Sequence, residues 1–204
     1  MKNKIVVCGC NSYKNWLGED LINQIEESTG LIIFTGGADV PPMIYKEKNV
    51  ASYCDYKKIE EYIEAYNYGL ENDIPMLGIC LGSQFLTAMQ PNGKVIQDVN
   101  NHGIGDTHSI TDGVNEFEMT STHHQMMNPF KVLDREIIAW STVNRSNKYV
   151  TGIGNISIEI EPEIVFYPKS KALAIQGHPE FSNCPEETKN YCKKLIKKYL
   201  INKI

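Results

Sequence analysis

The stretch Pro75-Met76-Leu77-Gly78-Ile79-Cys80-Leu81-Gly82-Ser83-Gln84 decides the fold and gives the first sign of chemistry. An apolar run of strand character ends at Ile79, a glycine-flanked turn carries Cys80, and a helical pattern starts straight after it. Strand, tight turn and helix in that order put the turn side chain at the carboxyl edge of a sheet, where open α/β folds build their sites. Gly78 and Gly82 let the backbone bend there without Cβ clashes. The amino end of the following helix points unpaired N–H groups toward the sulfur, a setting that suits a nucleophile. Far downstream, Gly177-His178-Pro179-Glu180 follows the apolar run Ala172 to Gln176. If that run is a second strand of the same sheet, His178 meets Cys80 at one edge. Cysteine, histidine and a carboxylate then read as nucleophile, base and orienting group.

Outward from this pair, short apolar runs alternate with helical patterns, which predicts an α/β fold of three layers: a mostly parallel central sheet flanked by helices. Expected strands are Ile5 to Cys8, Leu31 to Thr35 and Met76 to Ile79. Helices are expected over Leu17 to Ser28, around Ile59 to Glu71, over Ser83 to Met89, and from Pro185 onward. Ile59, Tyr62, Ile63, Tyr66 and Leu70 recur at helical spacing, so this aromatic stripe reads as core. The second half carries shorter β segments: Val95-Ile96, Phe117 to Met119, Ile137 to Trp140, Ile164 to Tyr167 and Ala172 to Gln176. The last two are separated by Pro168-Lys169-Ser170-Lys171, a hairpin turn. With no internal repeat or interdomain linker, residues 1–204 read as a single domain.

Composition sets outer limits. In 204 residues, 42% hydrophobic and 22% charged content is ordinary for a soluble globular protein with a full core. The net charge of −5 argues against a general nucleic-acid binder, because phosphate affinity comes from clustered Lys and Arg. Lys193, Lys194, Lys197 and Lys198 on the expected terminal helix read as a solvated face. No apolar run is long enough to span a bilayer, and Met1-Lys2-Asn3-Lys4 leads straight into a strand rather than a signal segment, so no membrane association and a cytoplasmic location are expected. The six cysteines are then reduced thiols. Cys8-Gly9-Cys10 lacks the two-residue spacer of common zinc pairs and the other cysteines are scattered, so no metal is expected.

Ser141 to Ile158 breaks the rhythm. It is rich in Asn, Ser, Thr and Gly and holds Arg145 beside Asn144 and Lys148. It reads either as a mobile surface loop or as a lid over substrate, where the forked guanidinium could pair with carboxylate or phosphate. His102 and His108 fall outside the motifs and read as hydrogen-bonded structural residues. Asp39 reads as a brace for the glycine turn, since Asp side chains commonly bond nearby backbone N–H groups.

Taken together, Gly78-Ile79-Cys80-Leu81-Gly82-Ser83-Gln84, Gln176-Gly177-His178-Pro179-Glu180-Phe181, Gly36-Gly37-Ala38-Asp39-Val40-Pro41-Pro42 with Tyr45, and Thr122-His123-His124-Gln125 resemble the class I glutamine amidotransferases. Within them the γ-glutamyl hydrolase branch is the most similar. The resemblance runs from Leu31 to Phe181. It implies Cys80 as nucleophile, His178 as general base and acid, and Glu180 as the group fixing the imidazole. The backbone N–H groups of Gly37 and Leu81 would form the oxyanion hole, and Gln84, His123, His124 and Gln125 would hold the glutamyl α-amino and α-carboxylate groups. Arg145 is added as a substrate contact from the loop reading. No cofactor is implied, and the partner is a small γ-glutamyl substrate.

Three functions stay open at this point. A free-standing hydrolase releases glutamate and an amine; an amidotransferase subunit passes ammonia to a separate synthase; a binding protein keeps the fold without turnover. The glycine loop with Pro42 and Tyr45 and the doubled His123-His124 resemble the free-standing hydrolases. Departures from that branch are the short chain, Gly177 where an aromatic residue often precedes the histidine, and the Ser141 to Ile158 insertion. They point toward an unusual leaving group. The Lys/Asn/Ile-rich character and compact size resemble the γ-glutamyl-CDP-amidate hydrolases of bacterial capsule phosphoramidate synthesis, which implies γ-glutamyl-CDP-amidate split to glutamate and CDP-amidate, with Arg145 and Lys148 suited to its diphosphate.

Overall fold

A computed structural model describes residues 4–7, 11–17, 21–22, 24–103, 105 and 107–201. The strands are β1 (Lys4–Val7), β2 (Leu21–Ile22), β3 (Thr29–Phe34), β4 (Met76–Ile79), β5 (Lys94–Ile96), β6 (Asp98–Val99), β7 (Thr107–Thr111), β8 (Glu116–Thr120), β9 (Met126–Asn128), β10 (Glu136–Ser141), β11 (Tyr149–Thr151), β12 (Gly154–Asn155), β13 (Pro162–Tyr167) and β14 (Ala172–Ile175). The helices are α1 (Asn11–Leu17), α2 (Tyr56–Glu71), α3 (Leu81–Ala88) and α4 (Glu186–Ile196), which runs into a π-helical turn over Lys197–Ile201.

The main sheet has the order β2-β1-β3-β4-β14-β13-β10-β7-β8. Its first five strands are mutually parallel, and the expected hairpin turns the sheet antiparallel from β14 to β13, with Ile164 opposite Ile175 and Tyr167 opposite Ala172. Alternation along β3 separates the two helical layers. Ile32 and Phe34 pack with Tyr62 and Phe85 on one face, while Leu31 and Ile33 join Leu77, Ile79, Cys192 and Leu195 on the other. Phe34, Tyr62 and Phe85 meet at ring-centroid distances of 5.1 to 5.4 Å, and each fully buried large side chain stabilises the fold by roughly 1.5–3 kcal/mol.

Helix α2 starts where Asp55 accepts a hydrogen bond from the Lys58 N–H at 3.2 Å. Its buried stripe is Ile59, Tyr62, Ala65, Tyr66 and Gly69, so the expected core face is correct except that Leu70 is exposed. The tail lysines lie on the exposed side of α4 and the turn after it, as expected. No helix among the described residues is long and apolar enough to cross a membrane.

One expected helix differs. The helix expected over Leu17 to Ser28 lies earlier, as α1, and Leu21-Ile22 instead pairs in parallel with Ile5 and Val6 as the edge strand β2. The apolar residues there satisfy sheet hydrogen bonds that a short-range pattern does not reveal. Cys8 and Cys10 lie outside the described residues.

Candidate active site

The turn after β4 is the strained point of the chain. Cys80 sits at φ 50° and ψ −109°, a conformation that costs a non-glycine residue energy and is kept where the surroundings over-determine it. Here the Cys80 N–H donates to the Ile175 carbonyl at 2.9 Å and the Gly82 N–H to the Thr35 carbonyl at 3.2 Å. The flanking glycines serve close packing rather than unusual dihedrals. A Cβ on Gly82 would stand 2.0 Å from the Phe34 carbonyl oxygen, and one on Gly78 2.4 Å from the Gly82 oxygen.

His178 arrives from the neighbouring strand. β14 and β4 run parallel with Ile175 beside Ile79, so the residues that follow them emerge together. The antiparallel half then fixes the histidine: its N–H donates to the Thr120 carbonyl at 3.1 Å, and the Thr120 hydroxyl donates back to its carbonyl at 2.5 Å. Phe181 stacks on the ring at a centroid distance of 4.2 Å. Gly177 has a local reason as well, since a Cβ there would lie 2.3 Å from Met119 Cγ. An aromatic side chain at this position therefore has no room in this chain.

Nδ1 of His178 and Oε1 of Glu180 are 2.8 Å apart and both residues are buried. This pairing fixes the ring and leaves Nε2 as the nitrogen for proton exchange. Nε2 has no fully formed hydrogen bond at rest. Burial works against a charged ring, but the contacts with Cys80 and Glu180 outweigh it and hold the His178 pKa at about 10. Gly36 lies between the pair, with a hypothetical Cβ 3.0 Å from His178 Cε1 and 3.7 Å from Cys80 Cβ.

Cys80 opens into a cleft of about 220 Å³ lined by Gly37, Ala38, Asp39, Gln84, Gly103, Thr122, His123, His124 and Gln125. The Leu81 N–H begins α3, where the first N–H groups have no intrahelical acceptor. Gln84 donates to the Gln125 carbonyl at 2.8 Å. The Gln125 amide is already committed: its oxygen accepts from the Val40 N–H at 3.1 Å and its nitrogen donates to Ser52 Oγ at 2.6 Å. His124, half-exposed, lies 2.9 Å from Asp39 Oδ1, and the Asp39 hydrogen bond, opposed by partial burial, raises its pKa. Asp39 also accepts from the Tyr53 N–H at 2.6 Å, a tie to the segment before α2 rather than to the glycine turn itself. A larger hollow of about 630 Å³ lies behind Glu180, against Trp16 and Lys193, and Cys80 does not reach it.

Arg145, expected as a substrate contact, is not among the residues that line this cleft. Ser141 to Ile158 is irregular over residues 142–148 and 156–158, and between these it contains β11 and β12, which join β6 in a small sheet. The anchor is Glu161, fully buried, which accepts from the Arg145 N–H at 2.9 Å, the Ser146 N–H at 2.8 Å and the Tyr149 hydroxyl at 2.9 Å. The Arg145 charge acts on His108.

His102 and His108 have carboxylate partners, as structural residues should: His102 Nε2 lies 3.2 Å from Glu161 and His108 Nε2 2.9 Å from Glu163. Burial is opposed by Glu163, which raises the His108 pKa, whereas burial and the neighbouring histidines hold His123 well below the usual range, as neutral imidazole. His102, His123 and Glu163 each bring one ligand-type atom within 4.8 Å of the others. The His102 and His123 rings, however, stack at 4.7 Å with only 26° between their planes, so their in-plane lone pairs do not converge on one point.

Sequence reasoning missed Tyr13 and Lys58. The Tyr13 hydroxyl accepts from the Gly36 N–H at 3.3 Å, and burial together with Glu180 pushes its pKa far up. Lys58 Nζ donates to the Gly36 carbonyl at 2.6 Å. Neither residue falls in a glycine or histidine motif; only α2's first turn, which carries lysines and no acid, signals something unusual.

The model of the family described as glutamine amidotransferase class-I matches residues 16–198. The chain belongs to that family. A glutamine amidotransferase-like protein of Rickettsia prowazekii is 35% identical over 83 residues, 39% of this chain and 29% of that protein. The glutamine amidotransferase-like protein YvdE of Lactococcus lactis is 26% identical over 173 residues, 81% of this chain and 70% of the relative. The carbamoyl phosphate synthase small chain of Wigglesworthia glossinidia brevipalpis is 30% identical over 66% of this chain and 33% of its own length. The chain thus spans about a third or less of two of these three relatives. Among solved structures, PurLQS from Thermotoga maritima superposes with a TM-score of 0.62 at 16% identity, covering 96% of this chain and 97% of that one, which is a likeness of fold.

Proposed function

We propose that this family member is a cysteine-dependent γ-glutamyl hydrolase. The observation that carries the reading is Cys80, on a strained turn, beside a His178 ring whose Nδ1 is held by Glu180 at 2.8 Å. In this reading Cys80 sulfur attacks the γ-carbonyl carbon, and the tetrahedral oxyanion accepts hydrogen bonds from the Gly37 and Leu81 N–H groups. His178 Nε2 passes its proton to the departing nitrogen, the C–N bond breaks, and a γ-glutamyl thioester stays on Cys80. Water then gives a proton to the same nitrogen, attacks the thioester, and releases glutamate and the thiol. Every step uses groups of this chain and needs no cofactor.

Gln84, His123, His124 and the Gln125 main chain are proposed to hold the glutamyl end. Neutral His123 suits a hydrogen-bonding role, and His124 with Asp39 offers both charges to an α-amino acid. For the leaving group, γ-glutamyl-CDP-amidate is the specific proposal, with Arg145 as its proposed contact. Cys54, Cys80, Cys184 and Cys192 are free thiols, which accords with a cytoplasmic location.

The name of the Wigglesworthia relative favours a second reading, in which the amine is ammonia delivered to a synthase chain. Glutamate release is measured for the protein and for Cys80→Ala across glutamine, γ-glutamyl-γ-aminobutyrate and γ-glutamyl-CDP-amidate. Turnover that requires Cys80 and is fastest on a non-glutamine substrate supports the hydrolase. Release from glutamine alone, or only with a synthase present, supports the subunit. No release from any of the three overturns both.

A further inference from the structure

We infer that Lys58 is a positioning residue that fixes the oxyanion-binding peptide, an inference that rests on the proposed role of the Gly37 N–H. Gly36 C=O and Gly37 N–H belong to one peptide unit, and the described chain has no cis peptide, so the two bonds point in opposite directions. Lys58 Nζ holds the carbonyl end at 2.6 Å. The other end, the Gly37 N–H, therefore faces away from Lys58, and among the described residues it has no acceptor. Gly37 lines the cleft with Cys80, which gives that N–H a substrate oxygen to meet.

The preceding peptide is tied separately, through the Gly36 N–H to Tyr13. Between them Tyr13 and Lys58 leave the Gly36-Gly37 unit one direction in which to present its donor. Glycine on both sides would otherwise allow this peptide to rotate with little steric cost. The ammonium also draws electron density from the carbonyl, which makes the N–H of the same unit a stronger donor as negative charge develops.

Local energetics argue that Lys58 is not there for the helix. A cation in the first turn opposes the helix dipole, and α2 has no acidic residue in that turn. What Lys58 gains instead are the Gly36 carbonyl, Thr35 Oγ1 at 3.3 Å and the face of Tyr62 at 5.5 Å. Space confirms the tight fit: a Cβ on Gly37 would come 2.9 Å from Lys58 Nζ and 2.8 Å from Leu81 Cδ2.

The test uses Lys58→Met and Lys58→Arg. Losing one oxyanion donor outright costs about 10²–10³ in kcat, so loss of its positioning should lower kcat by roughly 10- to 100-fold with KM within about threefold. Alkylation of Cys80 by iodoacetamide, a displacement that forms no oxyanion, should be unchanged, and Lys58→Arg should restore most of kcat. A kcat loss below threefold, an equal loss in alkylation, or no rescue by Arg overturns the inference. The amide resonance of Gly37 supplies a readout that needs no turnover: its ¹⁵N shift should move in Lys58→Met, and an unmoved resonance overturns the clamp. Wild-type inactivity on every γ-glutamyl amide would instead fell the proposed function, and the resonance would still decide whether the clamp exists.

Discussion

Replacing Glu161 by Gln tests how the segment leading into the small sheet of β6, β11 and β12 is anchored. The change keeps shape and removes charge from a carboxylate with no solvent exposure. Oε1 accepts from the Ser146 N–H at 2.8 Å and the Tyr149 hydroxyl at 2.9 Å; Oε2 accepts from the Arg145 N–H at 2.9 Å and faces His102 at 3.2 Å. An amide has one oxygen, so in either orientation its NH₂ meets a backbone N–H and leaves a buried donor unpaired. One such orphan costs about 1–3 kcal/mol, and the surviving bonds lose their charge assistance. Together they amount to about 3 kcal/mol, which for a chain of this size lowers Tm by roughly 6–12 °C. Glu163→Gln is the control: Oε1 of Glu163 takes the bonds from His108 and Ser141 while Oε2 has no partner, so a glutamine oxygen can replace the one in use. Calorimetry should give Glu161→Gln at least twice the loss of Glu163→Gln. Burial opposes ionisation of Glu161, but His102 and the two backbone donors prevail and hold its pKa below 4.5. The wild-type advantage is therefore complete above that value and shrinks as pH falls through the folded pKa. Equal losses in the two variants, or a gap that widens in acid, would refute this account.

Two further outcomes follow from the same geometry. Gly82→Ala sets a methyl 2.0 Å from the Phe34 carbonyl oxygen, where only backbone movement gives relief, so a loss of about 3 kcal/mol or more is expected in chemical denaturation; a loss under 1 kcal/mol would contradict the close approach. Glu180→Gln removes a charge that helps keep His178 protonated to about pH 10, so the alkaline limb of kcat/KM should move toward neutrality, and an unmoved limb would count against Glu180 as the orienting group.

The parts of the fold legible in the sequence are those with local signals. A glycine-bracketed cysteine after an apolar run shows the strand-to-helix turn, and Pro168 to Lys171 shows the β13–β14 hairpin. Those two readings suffice to bring Cys80, His178 and Glu180 into one region. What stayed hidden depends on partners distant in the chain. Leu21-Ile22 looks helical until β1 is seen beside it. Tyr149 to Thr151 looks like loop until β6 and the buried Glu161 supply its hydrogen bonds. The main-chain tie of Arg145 to Glu161 is hidden for the same reason, because the sequence around Arg145 carries no sign of an anchor sixteen residues on.

The parallel ladder between β4 and β14 has a mechanical consequence. Ile79 and Ile175 are register partners, and the Cys80 N–H is bonded to the Ile175 carbonyl, so the spacing of sulfur and imidazole is inherited from the interior of the sheet. The cleft's outer wall, by contrast, comes from connections around Asp39, Gly103 and His124. On the proposed function, chemistry and selectivity are therefore separable: the outer wall can be rebuilt while Cys80 and His178 keep their distance, which makes those connections the place to graft a new specificity.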